Sequence, residues 1–179
     1  MARIPYFDST KATGRAAKTL EGLPSLNIFR MMGHVGDLIE GFSRMGGQIL
    51  NKTSLDPVLR EIAIVRVGVL SKAGYEVYQH EAISRRMGMS EALIAGIHEG
   101  PAAAVFDTAQ QEVMRFTDDV VANVRASNAT FDPLRARLGD KALQELTLTV
   151  GFYMMVSRFL ETFDVDIETE QAGEVKICG

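Results

Sequence analysis

The stretch from 57 to 72 constrains this chain more than any other. Ile62, Ile64, Val65, Val67 and Val69 make it apolar on nearly every side of a helix, so other elements must enclose it. Glu61 nevertheless stands in its first full turns. A carboxylate in such a setting finds partners or takes up a proton, because an isolated buried charge is costly. Arg60, Arg66 or a backbone donor near the helix start would serve as partners, and a role in chemistry is the other reading.

The elements that enclose this helix are themselves helical. Over 26–50 the residues Ile28, Met31, Met32, Val35, Leu38, Ile39, Phe42 and Met45 recur at three and four, the spacing of one helix face, with bends or a break expected at the intervening glycines. Ser54 or Asp56 caps the next helix, and Pro57 fills the first-turn position that needs no N–H donor. Gly74 interrupts it, and a helix over 75–87 ends at Gly88. Ser90 opens a short helix ending near His98, and Asp107 or Thr108 opens a longer one through Val113, Phe116, Val120, Val121 and Val124. Asp132-Pro133 begins another that stops at Gly139, and the last runs over 141–163. No strand pattern competes, so the expected fold is an all-α, single-domain helical bundle.

Three parts are expected along the chain: an N-terminal arm over 1–25, a helical domain over 26–165 and an acidic tail over 166–179. Leu59 to Ile64 and Leu143 to Leu148 share the pattern Leu-x-Glu-apolar-x-apolar, which is either a duplicated helical hairpin or the ordinary likeness of amphipathic helices.

Composition removes several function classes. With 179 residues, 46% of them hydrophobic, the chain can build a core from side chains alone. Its 19 basic residues are scattered and the net charge is −4, so nucleic acid is not an expected partner. The apolar runs fall short of the roughly 20 residues of a bilayer span, and no membrane partner is expected. A charge and a proline near the N-terminus stand where a secretory signal needs an uninterrupted apolar region, which makes the cytoplasm the expected compartment. The single cysteine, Cys178, removes intrachain disulfides and Cys-x-x-Cys redox centres, and three histidines without tight ligand spacing do not point to a metal.

Glu76 and His80 are four apart, so carboxylate and imidazole share one helix face. Such a pair sets the histidine tautomer and raises its pKa, which makes His80 the best general acid/base candidate in the chain. His34 and His98 have no comparable neighbours and read as surface or helix-end residues. Tyr75 and Tyr78 flank Glu76 and point about 60° apart, so one of them lines a pocket if a pocket is there.

The run Leu55-Asp56-Pro57-x-Leu59-Arg60-Glu61, followed by Gly74-Tyr75-Glu76-x-Tyr78-x-His80-x-x-x-Ser84-x-x-x-Gly88-Met89-Ser90, resembles the carboxymuconolactone decarboxylase family, whose fold is shared with alkylhydroperoxidase D. The likeness extends over roughly residues 26–165, including Phe116-Thr117-Asp118-Asp119 and Leu143-x-Glu145-Leu146-Thr147. It implies a helical subunit that assembles into a trimer or hexamer, with a pocket between the Glu61 and Glu76–His80 helices. In the peroxidase branch two cysteines precede the histidine by seven and four residues, and a glutamate nineteen before it joins a proton relay. The glutamate and histidine match Glu61 and His80, but Ala73 and Glu76 stand in the cysteine positions. Thiol peroxidase chemistry is therefore not expected.

What the resemblance leaves is the decarboxylase branch: a carboxy-lyase or isomerase, free of cofactor, acting on a small cyclic organic acid in aromatic-compound breakdown. His80 would be the general acid, Glu76 its orienting partner and Glu61 a second acid/base. Tyr75, Tyr78, Arg66 and Arg85 would bind substrate, the arginines through its carboxylate. A ligand-binding or interaction protein that keeps the pocket without turnover is the alternative.

Overall fold

The computed structural model describes residues 1–168, and among them there are eight α-helices and no strand. These are α1 (Gly14–Gly22), α2 (Asn27–Met32), α3 (Leu38–Asn51), α4 (Pro57–Ser71), α5 (Gly74–Arg86), α6 (Glu91–Glu99), α7 (Thr108–Asn123) and α8 (Asn128–Phe163). The all-α reading holds. Residues 169–179, with Cys178 and most of the expected acidic tail, lie outside the described residues. By their contacts the residues form two units, one over 53–159 and one that joins 1–52 to the C-terminal residues from 160 onward.

In the larger unit α4 is the central element, packed against α5, α6 and α7. Residues 60–68 are all buried, as an all-round apolar helix requires. The Asp56 carboxylate accepts from the N–H groups of Val58 and Leu59, which fixes where the helix starts. Just before it, Glu145 of α8 accepts from the Ser54 and Leu55 N–H groups and from the Ser54 hydroxyl at 2.7–3.1 Å. The carboxylates of the two echoed segments thus do different work: Glu145 secures a loop, whereas Glu61 is enclosed.

The break between α4 and α5 falls at Lys72 and not, as the sequence suggests, at Gly74. Lys72 takes the left-handed conformation at φ 56°, its N–H bonds to Val69 O, and Ala73 N–H reaches back to Gly68 O at 2.9 Å. This is a Schellman closure with lysine where glycine is usual. Gly74 is simply the first residue of α5. The glycine that matters here is Gly68, since a Cβ on it would lie 3.0 Å from Val77 Cγ2 and 3.6 Å from Glu76 Cβ. Its bare backbone lets α5 approach α4 beside Glu76.

Gly88, at φ 86°, ends α5 as expected, with Met89 N–H bonded to Ser84 O. Ser90 caps α6, and Asp107 with Gln110 forms a reciprocal capping box on α7. Gly139, at φ 75°, breaks α8 at the expected place. Arg66 joins three helices. Its Nε and Nη2 donate to the two Asp118 oxygens of α7 at 2.6 and 2.9 Å, and Nη1 donates to Ile97 O of α6 at 3.0 Å.

In the smaller unit the N-terminal arm has more order than its sequence suggests. Helix α1 forms within it and packs on α3, although its short Ala- and Leu-bearing pattern is too brief to read as periodic. The 26–50 segment breaks as expected, into α2, a 3-10 turn over Gly33–Val35, and α3, with Gly36 at φ 58°. Asp166 and Glu168 are tied to the arm: Tyr6 OH donates to Asp166 Oδ2, Asn27 Nδ2 to Asp166 O, and Asn27 N–H to Glu168 Oε1.

Removing one partner of a buried ion pair leaves the other uncompensated, at a cost of about 3 kcal/mol or more when fully enclosed. Asp118 keeps 29% side-chain exposure, so Asp118→Ala is expected to lower the unfolding free energy by about 2–3 kcal/mol. Urea denaturation checks this, and an unchanged midpoint would show that the Arg66–Asp118 bridge does not hold α4 to α7.

Candidate active site

Three of the sequence-predicted groups come together where α4 meets α5. Glu61 points from the fully enclosed face of α4 and has no exposure to solvent. His80 lies two turns into α5, 6% exposed, and its Nδ1 is 2.7 Å from Glu61 Oε2. Glu76, one turn earlier on α5, places Oε1 3.1 Å from His80 Nε2. The imidazole is therefore held at both nitrogens by carboxylates from two helices. A fourth group closes the set, as Arg60 Nε donates to Glu61 Oε1 at 3.3 Å.

The two carboxylates are not equivalent. Glu61 makes the short, directed hydrogen bond, so it orients the ring, whereas the i,i+4 spacing suggests Glu76 for that task. Glu76 Oε1 is close to Nε2 but off the line of a hydrogen bond, and this sealed oxygen has no other partner among the described residues. The contact is an ion pair with the ring, so Glu76 supplies charge where Glu61 supplies direction.

Burial works against a charge on His80. The carboxylates of Glu61 and Glu76 outweigh it and push the imidazole up to about 10. The resting ring is then an imidazolium, and Arg60⁺, Glu61⁻, His80⁺ and Glu76⁻ balance one another. Such balance is what lets four ionisable side chains share an enclosed space.

Tyr153 of α8 completes the enclosure, and the sequence offers no sign of it. Its ring meets the His80 imidazole edge to face, 4.8 Å between centroids and 82° between planes, an arrangement worth about 0.5–1.5 kcal/mol beyond burial. Burial raises its phenol well above the ordinary value, and the charges of Glu76 and Glu61 add to that. The phenol therefore stays protonated beside the cluster. Its distance along the chain from His80 is what hides it, because no spacing rule links α5 to α8.

The other candidates are placed elsewhere. Arg66 is buried, and its Nε, Nη1 and Nη2 all donate to Asp118 and Ile97, so its fork is turned to α7 and α6 and already holds a carboxylate. Arg85 faces outward and pairs with Glu91 and Glu81. Tyr75 is buried within α5 and Tyr78 is exposed; the aromatic ring on His80 is neither of them. His34 is exposed against Pro5 O, and His98 is exposed and paired with Glu81. No group of three or more His, Cys, Asp or Glu suited to a metal ion is found among the described residues. Nor is any of their helices long and apolar enough to cross a membrane.

The model of the carboxymuconolactone decarboxylase family matches residues 36–119. That span contains Glu61, Glu76 and His80 and stops short of Tyr153, so it covers less of the chain than the resemblance read over 26–165. No curated protein sequence matches. Among solved structures, a protein from Ralstonia eutropha described as an alkylhydroperoxidase AhpD core, an uncharacterized peroxidase-related protein, superposes with a TM-score of 0.81 at 17% identity, covering 94% of this chain and 93% of its own. A protein of unknown function from Agrobacterium tumefaciens gives 0.70 at 18% identity over 75% and 92%. An uncharacterized peroxidase-related protein from Silicibacter sp. gives 0.68 at 19% over 77% and 74%. At these identities the likeness is one of fold.

The raised pKa of His80 has a sign in stability. Between the ordinary 6.5 and about 10 the folded chain holds a proton that the unfolded chain has released, so the contribution is complete below pH 6.5 and is lost as pH rises through about 10. Unfolding free energy of the wild type minus that of His80→Gln, measured in urea across this window, is expected to fall with pH. A flat or rising difference would contradict the imidazolium.

Proposed function

We propose that this chain, which belongs to the carboxymuconolactone decarboxylase family through residues 36–119, is a cofactor-free lyase or isomerase that acts on a small cyclic organic acid by general acid/base chemistry. The observation that supports this most strongly is the enclosed set of one imidazole between two carboxylates, with no thiol beside it among the described residues. Where a thiol peroxidase needs a cysteine four residues before the histidine, this chain has Glu76, and a carboxylate does not attack a peroxide as a thiolate does.

The chemistry follows from charge. When the bond to a carboxylate carbon breaks and CO₂ leaves, its electron pair passes into the adjoining unsaturated system as a dienolate, which must then be protonated at carbon. An acid as weak as the His80 imidazolium gives up its proton to a strongly basic centre of this kind and keeps it otherwise. Glu61 holds the ring and stabilises its charge. Glu76, beside the ring at Nε2, accepts or returns the second proton that an isomerisation needs. Breakdown of aromatic compounds in the cytoplasm is the setting that suits such a substrate.

A second reading, a binding protein of the same fold without turnover, is favoured by one observation: the resting charges are already balanced and the proton is firmly held. Incubation with 4-carboxymuconolactone, following absorbance and CO₂ release, separates the two. Turnover is expected, with a loss of roughly 10²–10⁴-fold in His80→Ala and full retention in Cys178→Ser. Ligand binding by calorimetry without turnover would favour the binding protein, and full activity of His80→Ala would remove the assigned acid.

Assembly into a homotrimer or hexamer belongs to the same proposal. Leu148 and Met155, seven residues apart on α8, are 57% and 49% exposed, as an apolar stripe awaiting a neighbour would be. Sedimentation at micromolar concentration is expected to give a species several times the chain mass, and a monomer would contradict it.

A further inference from the structure

We propose that Arg60 is the carboxylate-binding residue of this site, and that its substrates are small cyclic carboxylates held through that group. The assignment rests on the acid/base reading above for the place where the substrate sits, and takes that reading from a general organic acid to a defined contact.

The first observation is the state of the Arg60 guanidinium. Its side chain is only 9% exposed, and a single contact, Nε to Glu61 Oε1 at 3.3 Å, engages it. Among the described residues no acceptor meets Nη1 or Nη2. Sealed donors without partners would be expensive. Neither Nη is among the sealed unpartnered polar atoms, which are Glu76 Oε1 and Ser157 Oγ, so the fork keeps contact with solvent. A guanidinium buried to its tip, with its terminal N–H groups open, presents the planar pair of donors that a carboxylate matches in a bidentate way.

The second observation is where the fork lies: Arg60 Nε donates to one oxygen of Glu61 while the other oxygen of Glu61 meets His80 Nδ1 at 2.7 Å, so the guanidinium stands one carboxylate away from the acid/base imidazole. The Tyr153 phenol, buried against the His80 ring, feels the charge of Arg60 together with those of Glu76 and Glu61. The third observation is by elimination: Arg66 and Arg85, the other arginines considered for this task, are engaged by Asp118 and Ile97 and by Glu91 and Glu81. The clamp is thus supplied by the residue beside the catalytic carboxylate and on the same helix.

The test uses the full chain and two probes, benzoate and benzamide, with affinities read by calorimetry. The wild type is expected to bind benzoate more tightly than benzamide. Arg60→Gln should weaken benzoate by roughly ten- to hundredfold while leaving benzamide nearly unchanged, and Arg60→Lys should recover part of the loss. Equal weakening of benzoate and benzamide by Arg60→Gln would show a merely structural arginine and overturn the proposal. So would unchanged benzoate affinity in that variant, or a wild type that does not bind benzoate at millimolar concentration. Carboxylate preference that depends on Arg60 in a chain without turnover would sink the acid/base reading and leave the clamp standing. Turnover with unchanged KM in Arg60→Gln would do the reverse.

Discussion

The 2.7 Å contact between Glu61 and His80 is the interaction on which the rest of this site depends. Each residue would be unwelcome alone in the interior, one as a bare carboxylate on an apolar helix, the other as an imidazole that burial drives toward neutrality. Together they form an ion pair, and Arg60 on one side and Glu76 on the other extend it to a balanced set of four charges. The consequence is chemical as well as structural. The histidine is an acid held in reserve, and only a change of charge inside the enclosure, such as an arriving substrate or a developing carbanion, alters its hold on the proton.

Backbone geometry makes the set possible. The left-handed Lys72 closes α4 and turns the chain into α5, and the bare Gly68 lets the second helix lie close enough for Glu76 and His80 to reach Glu61. Arg66, bound to Asp118 and Ile97, fixes α4 against α6 and α7 from the other direction. The same helix therefore supplies a structural arginine and, six residues earlier, one whose terminal donors meet no acceptor among the described residues. Sequence position does not distinguish them; what distinguishes them is whether an acceptor on a neighbouring helix lies in reach.

That contrast separates what the amino-acid sequence makes legible from what it hides. Helix limits set by local chemistry are legible: Asp56-Pro57, Ser90, Asp107, Gly88 and Gly139 each act within a few residues of themselves. Glu61, Glu76 and His80 are legible too, the first because a carboxylate on an all-apolar helix demands explanation, the others because i,i+4 neighbours share a face. What stays hidden depends on distance along the chain or on a local rule being overridden. Arg66 is claimed by a residue 52 positions away, and Tyr153 reaches His80 from another helix altogether. Lys72 accepts a conformation that glycine usually takes, and α1 is too short for its period to show. The division of labour between Glu61 and Glu76 is out of reach for the same reason, since proximity on one helix gives no hint that the better hydrogen bond comes from the other.

The protonation state of His80 decides between a charge-balanced cluster and a neutral ring. In protein labelled with ¹⁵N at histidine, the ring nitrogens of His80 at about pH 8, above the ordinary imidazole range but below its raised value of about 10, report it without any assumption about substrate. Both nitrogens are expected to carry protons. A single protonated nitrogen, the signature of a neutral tautomer, would contradict the four-charge set and the chemistry built on it.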